Sequence, residues 1–570
     1  MREITKLFYE WQHKADSSLQ DELSVLENNS SLREDAFYTD LKFGTGGLRG
    51  VIGAGTNRMN IHTVGLATQG LANYLVRRVT KDDLRVAISY DSRHNSLLFA
   101  KTAASILAAS NIKVYLYKNL MPTPCLSFAV RTLKCAEGIM ITASHNPAKY
   151  NGYKVYGADG GQITTEDARS ITEEIKKLDM FEDVKHCDFE KAMQTGLISY
   201  IEDEVIDAYI KAVRSQSLLH DRTVDKNVAI VYTPLNGTGL IPVTRTLAEE
   251  GYLNVFVVPE QKEPDGNFPT CPYPNPEIRE ALSLGISYCK QRQADLLIAT
   301  DPDCDRVGIA VRNPDYKKDD KDSGDEYLLL SGNEVGLLLL EYVATMRLAN
   351  HTMPSHPVFV KTIVTTSLAE KIADFYKIKT INVLTGFKFI GEQIGLLEKD
   401  GRSSDYILGF EESYGYLSGD YVRDKDAVNG VLMIVEMFSY YRKQGLSLID
   451  KLKELYSRFG YCKNALFSYD FEGPQGFDRM QEIMASFRTL KDRFSDFKIK
   501  KVCDYVDGLD NLPPSDVLKF DFEEQIAMVV RPSGTEPKLK FYVSITSENE
   551  EKANVLLTRL KTTLEGFLKI

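Results

Sequence analysis

The stretch LRVAISYDSR, residues 84–93, is an apolar run that ends in tyrosine and three polar residues. It is followed by SLLFAKTAASILAAS (96–110), built of good helix formers, and by a second apolar run, IKVYLY (112–117). Short runs of this kind read as buried strands, and strand, helix, strand in succession calls for parallel pairing through a crossover. The theme recurs twice. NVAIVYTPLNGTG (227–239) leads into LIPVTRTLAEE (240–250) and NVFVVPE (254–260), and PVFVKTIVTTS (357–367) leads into LAEKIADFYK (368–377) and KTINVLT (379–385). Three such units predict an α/β protein with mixed, largely parallel sheets. The likeness is topological, without a residue-level repeat. In such sheets ligands bind beyond the carboxyl ends of strands, where YDSR, TASHNP (142–147) and TPLNGTG (233–239) fall.

At 570 residues the chain exceeds a single core. Candidate joints near 205, 328 and 455 give segments 1–205, 206–328, 329–455 and 456–570. After 455 the texture changes: YCKNALFSYDF (461–471), FRTLKDRF (487–494) and KIKKVCDYVDG (498–508) alternate strand and helix patterns without long parallel runs. This predicts a smaller α+β domain. The charged excursion NPDYKKDDKDSGDEY (313–327) reads as a solvated hairpin.

Hydrophobic residues at 43% and charged residues at 26% are ordinary for a globular enzyme. A net charge of -11, with no basic tract, argues against nucleic-acid or membrane partners. Eight cysteines without a CxxC pair indicate free thiols in a reducing compartment. The N-terminal MREITKLFYEWQHKADSS lacks the apolar core of a signal peptide and reads as an amphipathic helix. The run VGLLLLEYVATM (335–346) is interrupted by Glu341 and too short to span a bilayer. A cytoplasmic location is expected.

Four motifs carry chemistry. In ATDPDCDRVGIA (299–310), Asp301, Asp303 and Asp305 alternate after an apolar strand. At strand spacing they share one face, and three carboxylates together repel unless a cation sits among them. Hard oxygen donors favour magnesium or calcium over zinc, and the glycine and glutamate of an EF-hand are missing. An exposed acidic turn is the plainer alternative. Arg306 adds a cation beside the cluster. TASHNP puts Ser144 and His145 on a loop after the apolar AEGIMI (136–141); no GxSxG elbow supports a hydrolase triad. RPSGTEPKLK (531–540) offers Arg531, Ser533, Gly534 and Thr535, an inventory suited to a dianionic phosphate and equally that of a common turn. It is not a Walker loop.

LGFEESYGYLSGDYVRDKDAV (408–428) places Glu411, Glu412 and Ser413 after a strand-like run, with Arg423 and Lys425 downstream. Carboxylate and hydroxyl groups suit vicinal sugar hydroxyls; an acid-rich helix N-terminus is the alternative. FGTGGLRG (43–50), with Arg49, is weak alone, and NGTG (236–239) looks like a phosphate loop but reads better as strand-to-helix packing. A serine, a cation site, a phosphate clamp and a sugar grip imply phosphoryl transfer to and from Ser144, with His145 positioning it.

TASHNP, DPDCDR, GFEES and RPSGTEP, in this order and at these intervals, resemble the α-D-phosphohexomutase superfamily. GTGGLRG and the long N-terminal helix look like its phosphoglucomutase/phosphopentomutase branch, and the resemblance covers nearly the whole chain. It implies four domains around a cleft and Ser144 as a phosphoserine. One Mg2+ would be held by that phosphate with Asp301, Asp303 and Asp305. Glu411 and Ser413 would grip sugar hydroxyls, and Arg531, Ser533, Gly534 and Thr535 the non-reacting phosphate. Arg306, Arg423 and Lys425 join the expected substrate contacts. Arg49 and Lys154 fall where the family places basic groups near the reacting oxygen. Lys154 is the preferred general acid/base, with a charge-balancing lysine as the alternative. The implied reaction interconverts glucose 1-phosphate and glucose 6-phosphate, with glucose 1,6-bisphosphate as intermediate and activator.

The loop TGFKFI (385–390), with Gly386, Phe387 and Lys388, resembles the specificity loop of glucose-preferring members. Where bacterial phosphomannomutase/phosphoglucomutases often have a histidine two residues after the motif serine, this chain has Gly415, preceded by Tyr414. A role for that histidine does not transfer. The rivals are phosphopentomutase or phosphomannomutase activity on the same scaffold, and a noncatalytic sugar-phosphate-binding relative. Intact Ser144 and the aspartates argue against the last.

Overall fold

The computed structural model of the chain describes residues 3–44, 46–80, 84–220, 222–317, 324–471, 476–510, 512–532 and 538–569. The apolar runs form strands. The first group is β1 (Gly47–Val51), β2 (Arg85–Tyr90), β3 (Lys113–Leu116), β4 (Glu137–Ile141), β5 (Tyr150–Gly157) and β6 (Ile198–Tyr200), in the order β1-β5-β4-β2-β3-β6. β4, β2, β3 and β6 are parallel, while β5 runs antiparallel to β4 and β1 antiparallel to β5. Every residue of β4 is buried, as expected of a strand covered on both faces. The crossover helices are Ser96–Ala109 and Thr123–Thr132. Helix Ile61–Arg78 begins at a capping box, where Asn60 accepts from the His62 and Thr63 amides, and ends in Arg77 and Arg78, which suit its dipole.

The second group is β7 (Ile230–Thr233), β8 (Val255–Val257), β9 (Leu296–Thr300), β10 (Val307–Arg312) and β11 (Tyr327–Leu330), ordered β11-β10-β9-β7-β8. β7 is parallel to β8 and β9, and β10 folds back antiparallel on β9. The charged excursion lies between β10 and β11, and its residues 318–323 are outside the described residues.

By compactness the chain forms two units. The first holds residues 1–330, 391–403 and 415–436; the second holds 331–390, 404–414 and 437–570. This division runs through the expected segment 329–455, part of which folds with the first unit.

In the second unit β12 (Val358–Thr362) lies between β13 (Lys379–Val383) and β14 (Tyr406–Glu411), parallel to both. Helix Gly332–Ala349 is buried nearly all round, and its Glu341 is balanced by Lys451 at 3.1 Å and Arg458 at 2.8 Å. After β15 (Gly415–Leu417), which belongs to the first unit, the tail strands of the second are β16 (Tyr461–Asp470), β17 (Arg493–Phe494), β18 (Phe497–Asp504), β19 (Leu518–Phe522), β20 (Ile526–Pro532) and β21 (Lys538–Ser547). They form a sheet ordered β16-β21-β20-β19-β18-β17, with each neighbouring pair antiparallel. Helices Gly476–Arg488 and Glu550–Leu568 close its core through Met484, Phe487, Leu560 and Leu564. Among the described residues no helix is long and apolar enough to cross a membrane.

Candidate active site

Ser144 stands three residues beyond the end of β4, with a left-handed φ of 52° and its side chain buried. Such a conformation is uncommon for serine and needs support from the surroundings. The support comes from the YDSR segment. Asp91 accepts from the Thr142 hydroxyl at 2.6 Å, and the same hydroxyl oxygen accepts from the Ser144 amide at 2.8 Å. Arg93, fully buried, donates to the carbonyls of Ser144 (2.5 Å), Pro147 (2.9 Å) and Tyr150 (3.0 Å) and also to that of Asn146. Its Nε lies 3.3 Å from Asp91. The loop therefore closes around one guanidinium in place of a ladder of strand bonds.

The serine hydroxyl points at the acid cluster. Ser144 Oγ donates to Asp301 Oδ2 at 3.0 Å and lies 3.1 Å from His145 Nδ1. Burial, then the cations Arg306 and Arg49, hold His145 well below the usual imidazole range, so it is neutral. Arg49, exposed on β1, donates to Asn146 Oδ1 at 3.4 Å.

Asp301, Asp303 and Asp305 are fully buried and offer oxygens within 4.8 Å of one another. They do not alternate along a strand, as the spacing suggested. They lie in the turn between β9 and β10, where Cys304 takes a φ of 50° and its amide bonds the Asp301 carbonyl at 2.9 Å. The amides of Asp305 (3.1 Å) and Arg306 (3.0 Å) converge on Asp301 Oδ1. It is this turn, not strand geometry, that gathers the carboxylates.

Lys154 on β5 reaches Asp303 at 3.0 Å and Asp305 at 3.8 Å, and Lys425 reaches Asp305 at 2.7 Å. Burial and then the neighbouring carboxylates push Asp301 well above the usual carboxylate range, and burial with Asp303 raises Asp305. At Asp303 burial is outweighed by Lys154 and Lys425, which hold it low. Two lysines thus face three carboxylates, while Arg306 pairs with Glu277. Asp303 Oδ1 and Asp305 Oδ1 are buried and accept no hydrogen bond. Orphaned buried oxygens on three crowded carboxyl groups fit a divalent metal ion.

The other expected contacts divide. Arg423 is fully buried, donating to Glu398 at 2.7 Å, to the Val422 carbonyl at 3.0 Å and to that of Asp420. Its guanidinium is committed to holding the segment that carries Lys425 and is not presented to a ligand. Asp424, which accepts from Tyr156 at 2.8 Å, and Asp426, which accepts from Tyr209 at 2.9 Å, anchor the same segment.

In the second unit Glu411 ends β14 and accepts from the Gly386 amide at 2.9 Å, and Gly386 has a φ of 122°. Phe387 is buried at the start of the following helix, and Lys388 lies 5.2 Å from the Phe389 ring centroid. Glu412 accepts from Thr362 and Thr365, each at 3.2 Å, and Ser413 is half-buried. Arg531 is half-buried near the end of β20, opposite Lys540. Burial and Glu412 push the nearby Tyr542 hydroxyl up to about 12, against the pull of Arg531, so the end of β14 and Arg531 share one electrostatic neighbourhood. Ser533, Gly534 and Thr535 lie outside the described residues.

Asp91 and Arg93 shape the site without being among the residues expected there from the sequence. The signal was there, since YDSR closes a buried strand. Thr123 gave none: it donates its amide to the Asp303 carbonyl at 3.0 Å and its hydroxyl to the Asp303 carboxylate at 3.3 Å.

A loop serine over a buried acid triad, on repeated α/β domains, defines an α-D-phosphohexomutase, an isomerase that moves a phosphoryl group. The chain belongs to the phosphoglucomutase/phosphomannomutase family, matching its alpha/beta/alpha domains I, II and III over residues 40–182, 207–315 and 331–459. It is 37% identical to the phosphoglucomutase of Staphylococcus saprophyticus over 551 residues, covering 92% of this chain and 96% of that one. Two solved structures share the fold. Parafusin of Paramecium, a phosphoglucomutase in an open form, is 18% identical with a TM-score of 0.66, covering 93% of this chain and 95% of that one. The N-acetylphosphoglucosamine mutase of Aspergillus fumigatus, solved with GlcNAc-6P and magnesium, is 12% identical with a TM-score of 0.51, covering 100% and 99%.

Proposed function

We propose that this enzyme is a cytoplasmic phosphoglucomutase that interconverts α-D-glucose 1-phosphate and glucose 6-phosphate, with Ser144 as the phosphoryl carrier. The observation that carries the reading is the Ser144 hydroxyl, aimed at 3.0 Å into the buried aspartate triad. Binding alone needs no phosphorylatable serine there. The likeness to staphylococcal phosphoglucomutase over most of both chains supports glucose as the sugar.

In the first step phospho-Ser144 gives its phosphoryl group to the free hydroxyl of the sugar phosphate. The P–Oγ bond breaks as the new P–O bond forms, and glucose 1,6-bisphosphate results. Lys154, which must enter this step uncharged, accepts the proton of the attacking hydroxyl, and Ser144 Oγ departs as an alkoxide that stays unprotonated until it attacks in the second step. In the second step the bisphosphate, turned end for end, returns its other phosphoryl group to Ser144, and Lys154 protonates the departing sugar oxygen. Neutral His145 orients Ser144 Oγ. Asp301, Asp303 and Asp305 would hold one Mg2+, favoured by their hard oxygens over softer metals. When bound, Mg2+ supplies positive charge that stabilises the transferring group. Arg49 adds a cation on the exposed side of the serine loop.

Glu411 and Ser413 grip sugar hydroxyls, the Gly386–Lys388 loop being tied to Glu411 through its first amide. Arg531 offers a planar fork to the non-reacting phosphate, helped by Ser533, Gly534 and Thr535. Arg306 and Lys425 steady the acid cluster. Assay of glucose, mannose and ribose 1-phosphates in parallel tests the proposal. Preferential turnover of glucose 1-phosphate, dependent on glucose 1,6-bisphosphate, is expected. Turnover of ribose or mannose 1-phosphate alone would overturn the assignment of the sugar.

A further inference from the structure

The NGTG loop looked like a phosphate loop or a packing turn in the sequence. The structure gives it a third setting, against the acid turn. Each carbonyl of residues 301–304 has an amide partner: Asp301 takes Cys304 (2.9 Å), Pro302 takes Thr238 (2.9 Å), Asp303 takes Thr123 (3.0 Å) and Cys304 takes Ala427 (3.3 Å). Pro302 differs from the rest. It has no N–H, so its carbonyl is its one backbone handle. Thr238 grips that handle twice, with its amide and with its hydroxyl, both at 2.9 Å.

The gripping loop is itself rigid. Leu235 and Asn236 take consecutive left-handed conformations, φ 46° and 56°. They are held there by buried bonds. The Leu235 amide donates to Thr233 Oγ1 at 3.0 Å, the Asn236 amide to the Gln261 carbonyl at 2.9 Å, and the Asn236 side chain to the Glu263 carbonyl at 2.8 Å. Gly237 permits the close approach, since a Cβ there would lie 2.4 Å from Pro302 Cα. Consecutive non-glycine residues with positive φ persist only where surroundings over-determine them. What this strained loop braces is the peptide between two of the three aspartates.

We propose that Thr238 is a positioning residue for the acid turn. By fixing the Pro302 carbonyl it sets the separation of Asp301 and Asp303, and with it the preference for magnesium over calcium. The inference rests on the reading of the triad as a magnesium site. Magnesium demands short, near-octahedral ligand distances, whereas calcium accepts longer and more variable ones. A turn held from two donors at one carbonyl suits the stricter ion. A turn allowed to breathe loses magnesium first.

The test uses the full-length protein and titration calorimetry with MgCl2 and with CaCl2, alongside thermal melting. Thr238→Val keeps the amide and the shape but removes the hydroxyl; Thr238→Ser keeps both donors; Thr238→Ala removes the same hydroxyl should valine fail to fold. Loss of the hydroxyl is expected to weaken magnesium about tenfold, the lower end of the effect of removing a partner one step behind a metal ligand. Calcium should weaken by less than about threefold, its longer ligand distances tolerating the looser turn, and Thr238→Ser should titrate like the parent. A lowered melting temperature with unchanged magnesium affinity would reduce Thr238 to fold support and overturn the proposal. Equal losses for both ions would overturn the selectivity. A parent protein that binds neither ion would remove the magnesium reading itself, a result distinguishable from the other two.

Discussion

Replacing Arg93 tests whether the serine loop is shaped by one buried guanidinium. Its side chain donates to four carbonyls and lies against Asp91, with both side chains fully buried. Arg93→Lys keeps the charge but offers donors from a single point, so we expect two of the four carbonyl bonds to be lost. A hydrogen bond involving a charged group contributes about 1.5–3 kcal/mol, and bonds sharing one group are not additive; a loss of about 2–4 kcal/mol follows. Arg93→Met also strands the Asp91 carboxylate, which raises the expected cost to about 3–5 kcal/mol.

Function should fall in a specific way. The guanidinium positions Ser144 and touches no expected substrate contact, so Arg93→Lys should lower kcat by on the order of 100-fold, as a misplacement near 1 Å does, with KM for glucose 1-phosphate nearly unchanged. The assay is steady-state kinetics with phosphoserine content, plus chemical melts of the single variants and of Asp91→Asn/Arg93→Met. The double variant should recover part of the stability lost in Arg93→Met, because the stranded charge is gone. A double variant no more stable than Arg93→Met, or a loss confined to KM, would refute the reasoning.

Three further outcomes are expected. Ser144→Ala should remove nearly all mutase activity with little change in melting temperature, and phosphopeptide mapping of the parent should find phosphate at Ser144. Glu411→Gln should raise KM for every sugar phosphate tried, because it weakens both the sugar grip and the bond to the Gly386 amide; steady-state kinetics check this. Glu436, buried and accepting from the Leu218 amide at 3.1 Å, is pushed by burial up to about 7. Its folded value exceeds the unfolded one, so stability tied to its protonated form is full below about pH 4.5 and is lost as pH rises through about 7. Glu436→Gln should therefore stabilise the protein at pH 8 by up to about 3 kcal/mol and give no gain at pH 4.5, as read from melts at both pH values.

How much was legible depended on whether a residue acts through its own chemistry or through backbone it holds. Asp301, Asp303, Asp305 and Ser144 announce themselves, because carboxylates and a hydroxyl at strand ends have few other uses. Even so strand alternation does not bring them together: the carboxylates converge through a turn whose left-handed Cys304 no periodicity reveals. Arg423 shows the opposite failure. In sequence it is an arginine beside an acidic, sugar-suited motif; in the fold its fork is used up on Glu398 and backbone carbonyls, and it is its neighbour Lys425 that reaches the acid cluster. Arg93 and Thr238 bind carbonyl groups that every residue possesses, and Asp91 and Thr123 reach a hydroxyl and a carboxylate far off in the sequence, so nothing in composition or spacing marks their partners. These braces matter because catalysis by charge placement needs donors and ligands fixed before the reaction begins. The serine loop and the acid turn both achieve this with a left-handed residue, Ser144 in one and Cys304 in the other, the carbonyl of the first held by Arg93 and that of the second by the Ala427 amide. The chemistry is therefore readable along the chain, while the rigidity that makes it effective is a property of the closed fold.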